Sequence, residues 1–440
     1  MTQDISTQPA KFGPVTLEDG VSASNARTYI FAAFWTIGFI SFISFMQNYV
    51  LAEHLGLNNN KIGRTVGGLL FVGEIAILTT APLFGALSDK IGRKLVFTLG
   101  FVWIGAGFFL FPLAKSYSIL LLCRAFMSMG AAALGAMMAA VLADYPKNKS
   151  RGLFTAMSGA ANGLGALVVI VGMSRVPAML VKSGLTDAKA GTYTFWIVGA
   201  LALLTALIVS FGLKGGPPRT ARIHKNIRTS IKDGAAAARH NPRLRLAFLN
   251  SFIARGDVLL IGTFLSVWLL QAGINQHGLT TPEAHSQASR LTGVVHGMSL
   301  IWAPIFGIIL DRFDRVSAVM MAMAIAVIAY ITMGLTKDPT GHGAYPALIL
   351  LGIGEFSVIM SGQTLVAQEA PQNVRGAVMG LFILCGAIGI LTLSLLGGYL
   401  YDAYGPGTPF LLVAGINGLI LLYAIYVRVS TGYKSPQARQ

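Results

Sequence analysis

Apolar residues run along most of this chain in stretches of about 20, each long enough to cross the hydrocarbon core of a bilayer, with short polar turns between them. They fall near 27–50, 61–87, 94–114, 118–143, 153–174 and 193–213. After a polar interval they resume near 246–271, 290–310, 316–335, 344–367, 377–401 and 407–427. The pattern predicts an all-α polytopic membrane protein with twelve transmembrane helices (spans 1 to 12) in two six-helix bundles, 27–213 and 246–427. Between the bundles lies a linker, 214–245, and outside them lie the tails 1–26 and 428–440. The first tail is polar, carries Pro9, Gly13, Pro14 and Gly20, and lacks the basic-then-apolar order of a signal peptide, so a disordered cytoplasmic tail is expected.

The two sets of spans share local sequence. Ala81-Pro82-Leu83-Phe84-Gly85-Ala86-Leu87-Ser88-Asp89-Lys90 returns as Ala303-Pro304-Ile305-Phe306-Gly307-Ile308-Ile309-Leu310-Asp311-Arg312, with Ala, Pro, Phe, Gly and Asp at identical spacing. Ala143-Asp144-Tyr145-Pro146 followed by Arg151-Gly152 returns, one residue shorter, as Glu369-Ala370-Pro371 followed by Arg375-Gly376. Two registered repeats indicate an internal duplication, the sequence mark of many transporter folds.

The first copy continues as Ile91-Gly92-Arg93-Lys94, so residues 85–94 resemble the loop motif G-x-L-x-D-[RK]-x-G-R-[RK] of the major facilitator superfamily. The second copy keeps Gly307, Asp311, Arg312 and Arg315 but has Asp314 in place of the second glycine. The Asp144 and Arg151 pattern, its Glu369 counterpart, and Gly397-Gly398-Tyr399-Leu400-Tyr401-Asp402 in span 11 are similar to further signatures of the same superfamily. The resemblance implies two bundles related by a pseudo-twofold axis, a central cavity lined by spans 1, 4, 7 and 10, and alternating access. It also implies a conformational gate built from Gly85, Asp89, Lys90, Gly92, Arg93, Asp144, Arg151, Asp311 and Arg312, in which an acid at one helix end pairs with bases on a neighbouring span.

Composition and charge sharpen this picture. Only 11% of residues are charged against 54% hydrophobic, far from the roughly 25% charged of soluble domains. The net charge of +16 does not indicate nucleic acid, because the bases fall in short loops rather than on one soluble face. Of the 33 Lys and Arg, 23 fall on the side of the termini and the linker and 8 on the other, while Arg124 and Arg255 sit inside spans. The positive-inside rule therefore puts both termini in the cytoplasm. The linker carries nine bases (Lys214, Arg219, Arg222, Lys225, Arg228, Lys232, Arg239, Arg243 and Arg245) against Asp233 alone, fitting orientation and contact with anionic lipid. Within it, Ile223, Ile227 and Ile231 recur every four residues and predict a surface helix. Cys123 and Cys385 both lie in apolar segments, which gives neither a disulfide framework nor a metal-ligand spacing; no metal or cofactor is expected.

Ionisable residues inside spans are costly and therefore mark function. They are Glu74, Arg124, Arg255, Asp257, His296 and Glu355. Glu74 lies 15 residues before Asp89, about 22 Å along a helix and near the bilayer centre. An acid there either exchanges a proton, as coupling requires, or serves as a permanently charged partner of Arg124. The repeat offset carries Glu74 onto His296, which is either a relay or a packing residue. Arg124 opens a segment similar to the span 4 motif R-x-x-Q-G-x-G-A-A of proton-coupled members, with Met127 and Ser128 as departures; it reads as a cavity arginine or a snorkelling one. Glu355, between Gly352 and Gly354, matches Arg255 and Asp257 in depth and is a candidate partner of Arg255. Proton coupling is thus assigned to Glu74, Asp257, Glu355 or His296. Substrate binding goes to Arg124, Arg255, Trp35, Phe39 and Asn48, the last three from an aromatic-rich span 1 that is either cavity wall or core.

The reading that follows is a monomeric secondary transporter in the plasma (inner) membrane, moving a small organic solute, an organic anion or amphiphile, with protons as co-substrate. A multidrug/proton antiporter and an uncoupled facilitator are the alternatives within that class. Span 5 lacks the Gly-Pro pair of the drug-exporter antiporter motif, which counts against the former. A polytopic membrane enzyme or a non-transporting sensor is the alternative outside it, and no long catalytic loop or nucleotide-binding signature supports an enzyme.

Overall fold

The computed structural model describes residues 10–56, 61–216, 227–239, 241–371 and 374–433. Twelve helices in it are long and apolar enough to span a membrane. Spans 1 to 6 are Ala23–Glu53, Ile62–Ile91, Arg93–Leu113, Tyr117–Asp144, Arg151–Lys182 and Asp187–Gly212. Spans 7 to 12 are Pro242–His277, Thr281–Arg312, Arg315–Gly334, His342–Glu369, Arg375–Tyr404 and Thr408–Thr431. The linker helix, Ile227–Arg239, packs on span 11, where Gly234 leaves room for the Ala377 carbonyl. The expected bases Arg219, Arg222 and Lys225, and Ile223, lie outside the described residues.

Where the observed spans outrun the apolar stretches, local chemistry explains it. Span 8 starts at Thr281 rather than near 290 because Thr280 and Glu283 form a reciprocal capping box and Pro282 suits the first turn, so a polar segment is helical. Span 7 runs on to His277 and stops at Gly278, whose left-handed φ of 62° ends the helix. Within it, Leu260–Leu265 is a π-helical turn, a wide turn that recurs at functional sites.

The expected disorder of the first tail is corrected over its described part. Lys11–Phe12 and Val15–Thr16 form an antiparallel hairpin whose chain then docks on the turn between spans 4 and 5. Leu17 bridges Pro146, the Lys147 amide donates to the Thr16 carbonyl at 3.0 Å, and the Glu18 amide donates to the Tyr145 carbonyl at 2.8 Å. The Thr16 amide donates to Ser150 Oγ at 3.0 Å, and Val15 and Leu17 are fully buried. A short polar segment is ordered here because its backbone groups find partners on another turn.

Contacts group the chain into two units, one comprising residues up to 43, 75–173 and 189–222, the other 44–74, 174–188 and 223–440. In the first, spans 1, 3 and 6 pack through aromatic rings such as Phe42, Phe108 and Phe195, with centroids 5.2 to 6.2 Å apart. In the second, spans 7, 9, 10 and 12 surround a core that includes Tyr330, Leu351, Phe410 and Val413, all fully buried.

Candidate functional site

Two ionic clusters sit at helix ends, one in each unit. In the first, Arg93 opens span 3 and bonds Asp89 and Ser88 of span 2 and, through Nε at 3.0 Å, Asp144 at the end of span 4. Gly92 makes the break between spans 2 and 3 with φ 99°, a conformation open to glycine, and any Cβ there would collide with the Gly216 carbonyl. Arg151 donates to the Ala143 carbonyl at 3.2 Å, satisfying a carbonyl of the last turn of span 4. Lys90 is exposed, and no heavy atom lies within 4 Å of a Cβ built on Gly85.

The second cluster centres on Arg243, in the first turn of span 7 and only 1% exposed. Its guanidinium lies 3.0 Å from Asp314 and 3.8 Å from Glu369, and donates to Thr431 Oγ1 at 3.0 Å and the Gly432 carbonyl at 2.7 Å. Asn241 donates to Glu369 at 3.2 Å, and Arg428 lies 3.9 Å from Asp314. Two bases thus face two acids, and spans 7, 9, 10 and 12 are tied at one end. Asp311, the motif acid, has a side chain 84% exposed and meets Arg315 only at 3.9 Å; Arg312 is exposed. The buried acid of the second motif copy is Asp314, the residue that interrupts it.

Deeper in the second unit, Asp257 is fully buried and Glu355 is 5% exposed, and the two carboxylates are near enough to repel one another. Tyr330 and Asn417, both fully buried, flank Asp257, yet neither Asp257 oxygen closes a hydrogen bond of good geometry. Spans 7, 9, 10 and 12 each supply one member of this group. Arg255 does not pair with Glu355: it is exposed, and its stem crosses Gly386 of span 11, where a Cβ would displace it. Glu74 and Arg124 are both buried and both engaged in interactions. His296 is partly buried.

Of the span 1 candidates, Trp35 is partly exposed and stacks on Phe39 at 5.1 Å. Phe39 itself is fully buried against Phe101 and Phe108. Asn48 is buried and donates to Ser266 Oγ at 2.7 Å. Phe39 and Asn48 therefore hold helices together. Among the described residues no group of three or more His, Cys, Asp or Glu could hold a metal.

The sequence matches the family model "Major Facilitator Superfamily" over residues 29–393. The chain belongs to that superfamily. Among curated relatives of this superfamily member, the magnetosome protein MamH of Paramagnetospirillum magneticum is 26% identical over 88% of this chain and 88% of its own length. The chain spans only 59% of the length of the magnetosome protein MamZ from the same organism, at 25% identity and over 87% of this chain. The multidrug resistance protein MdtG of Citrobacter koseri is 24% identical over 87% of this chain and 88% of its own. In fold, the nucleoside transporter NupG superposes with a TM-score of 0.74 at 14% identity, covering 91% of this chain and 99% of that one. As a superfamily transporter, the chain is an integral membrane protein that carries small molecules.

Sequence reasoning missed Arg243, Asp314, Tyr330 and Asn417. One signal for the second cluster was present: Asp314 and Glu369 are 55 residues apart, as are Asp89 and Asp144. Tyr330 and Asn417 had none, since a lone Tyr or Asn in an apolar span is ordinary.

Proposed function

We propose that this chain is a proton-coupled secondary transporter of the bacterial inner membrane. In this reading it works as a monomer with cytoplasmic termini and moves an organic anion or amphiphile by alternating access of two six-helix halves. The observation that carries the coupling is the pair Asp257 and Glu355: two buried acids that act on one another, with no ion pair to a base among the described residues. Two adjacent carboxylates in an apolar interior do not both stay ionised, so the pair takes up and releases a proton as its surroundings change. Glu74 is a second acid at membrane depth and the alternative carrier. Arg124 and Arg255 favour an anionic solute. Trp35, partly exposed beside a packed aromatic cluster, is suited to an apolar ring on that solute.

The test begins with a thermal-shift screen of organic acids and lipophilic cations on purified protein, since a bound solute raises the melting temperature. The stabilising compound is then followed in proteoliposomes. Asp257→Asn should abolish accumulation driven by a pH gradient while leaving solute exchange, because exchange does not require the acid to cycle. If Asp257→Asn and Glu355→Gln both accumulate solute at the wild-type rate and Glu74→Gln does not, Glu74 carries the proton. If all three accumulate normally, the protein is a facilitator. The likeness to MdtG, named for multidrug resistance, favours a second reading as a drug/proton antiporter; stabilisation by lipophilic cations rather than organic acids would select it.

A further inference from the structure

The amino-terminal hairpin and the residues after it run as a strap across the ends of spans 4 and 6. The Leu17 amide donates to the Ala10 carbonyl at 2.9 Å and closes the hairpin, which turns at Gly13 with a φ of 55°. Beyond the hairpin, the chain grips three consecutive residues of the turn after span 4: the Tyr145 carbonyl, Pro146 and the Lys147 amide. The residue just before them is Asp144, whose carboxylate holds Arg93 at the junction of spans 2 and 3. A second line reaches the same junction through the chain that leaves span 6. The Lys214 ammonium donates to the Asp19 carbonyl at 3.2 Å, and the Lys214 amide donates to the Tyr145 hydroxyl at 3.1 Å. Two residues on, the Gly216 carbonyl stands against Gly92, 2.7 Å from where a Cβ would lie. Arg93 is thus held by a residue next to the gripped turn, and Gly92 by a residue next to the gripped Lys214.

We propose that residues 10–19 are a regulatory strap: docked, they fix Asp144 and Gly216 and so hold the Gly92–Arg93 junction in place; released, they free it to move. The attachment is of a kind that releases. Within the strap, Val15 and Leu17 supply the fully buried apolar side chains. A hairpin of two-residue strands does not keep its shape away from a supporting surface. Its other bonds are made mostly by backbone groups, which water satisfies once the strap lifts. The Asp19–Lys147 pair, at 3.5 Å with the Asp19 side chain 68% exposed, adds little. A segment so lightly held opens without unfolding the helices beneath it. The proposal rests on the reading of the Asp89–Arg93–Asp144 cluster as a conformational gate, but on neither the solute nor the proton assignment.

The test needs no solute. Amide hydrogen exchange of the purified full chain, read by mass spectrometry, follows the strap (10–19), the gripped turn (145–150) and the junction (88–94) separately. The Gly92 amide, which donates to the Ser88 carbonyl at 3.0 Å, reports on the junction. Leu17→Asp puts a charge at a fully buried position and should undock the strap. Exchange should then rise about tenfold at both the turn and the junction, the low end of what loss of a buried leucine contact gives. Ser150→Ala leaves the strap's own sequence intact and removes the acceptor of the Thr16 amide; a rise of about threefold at both places is expected. Faster exchange at 145–150 with 88–94 unchanged would make the hairpin a local anchor and overturn the proposal. So would a parent protein in which residues 10–19 exchange as slowly as the interiors of the spans, because such a strap does not release. If Leu17→Asp does not fold, Ser150→Ala decides. Failure of the gate reading shows elsewhere: an Asp89→Asn protein that transports at the parent rate removes the gate and leaves the strap's hold on the junction as exchange measures it.

Discussion

At the scale of single residues, the consequences of burial divide two acids that the sequence makes look alike. Asp311 occupies the motif position and is exposed; Asp314 is fully buried against Arg243. Asp311→Asn should change stability by less than about 0.5 kcal/mol, as for other exposed charges. Arg243→Ala should cost about 3–5 kcal/mol, because it strands Asp314 and Glu369 with the smaller help of Arg428. Thermal unfolding of the two variants side by side checks both numbers. In the first half, Asp89→Asn is expected to slow transport while leaving solute binding intact, since Asp89 contacts Arg93 at a helix junction. Equal loss of transport and binding would place Asp89 at the solute instead.

At the scale of elements, junctions decide more than helix interiors. Gly92→Ala should destabilise by about 1–3 kcal/mol, since it forces a side chain into a positive-φ conformation against the Gly216 carbonyl; urea unfolding measures it. The turn between spans 9 and 10 is held by Asp338. Partial burial raises its pKa, but hydrogen bonds from the Thr340 hydroxyl and amide and from His277 outweigh that and leave the carboxyl below its ordinary value. A lowered folded-state pKa means stability present above the unfolded value and lost as pH falls through the folded one. Asp338→Asn should therefore lower Tm at pH 7, and the difference should close below about pH 3.9. The twelve spans were legible because a bilayer demands some 20 consecutive apolar residues, a signal that needs no knowledge of neighbours. Three other features were not. The hairpin at Lys11–Thr16 depends on partners such as Ser150, 134 residues away. The start of span 8 depends on a cap, and the Arg243 cluster hid in a linker whose charge accounts for orientation by itself. Intramembrane acids were legible as costly residues, but that Asp257 meets Glu355, Tyr330 and Asn417 follows only from packing.

At the scale of the whole molecule, the proposed orientation has a direct test. Lys232, exposed on the linker helix, when changed to cysteine in a cysteine-free background should be inert to an impermeant maleimide in intact cells and reactive after lysis. Reaction in intact cells would reverse the assignment of every loop. The amino-terminal hairpin also bears on how the chain is made. Its docking site, Tyr145 to Ser150, leaves the ribosome long after the hairpin itself. Spans 1 to 4 are thus synthesised while residues 10–17 have nothing to bind, and the hairpin closes only afterwards, as a late step of biogenesis at the membrane surface. A bulky fusion at the amino terminus therefore obstructs the completion of helices already inserted rather than their insertion, and a spacer ahead of Lys11 is the remedy for a tagged protein that inserts but matures slowly.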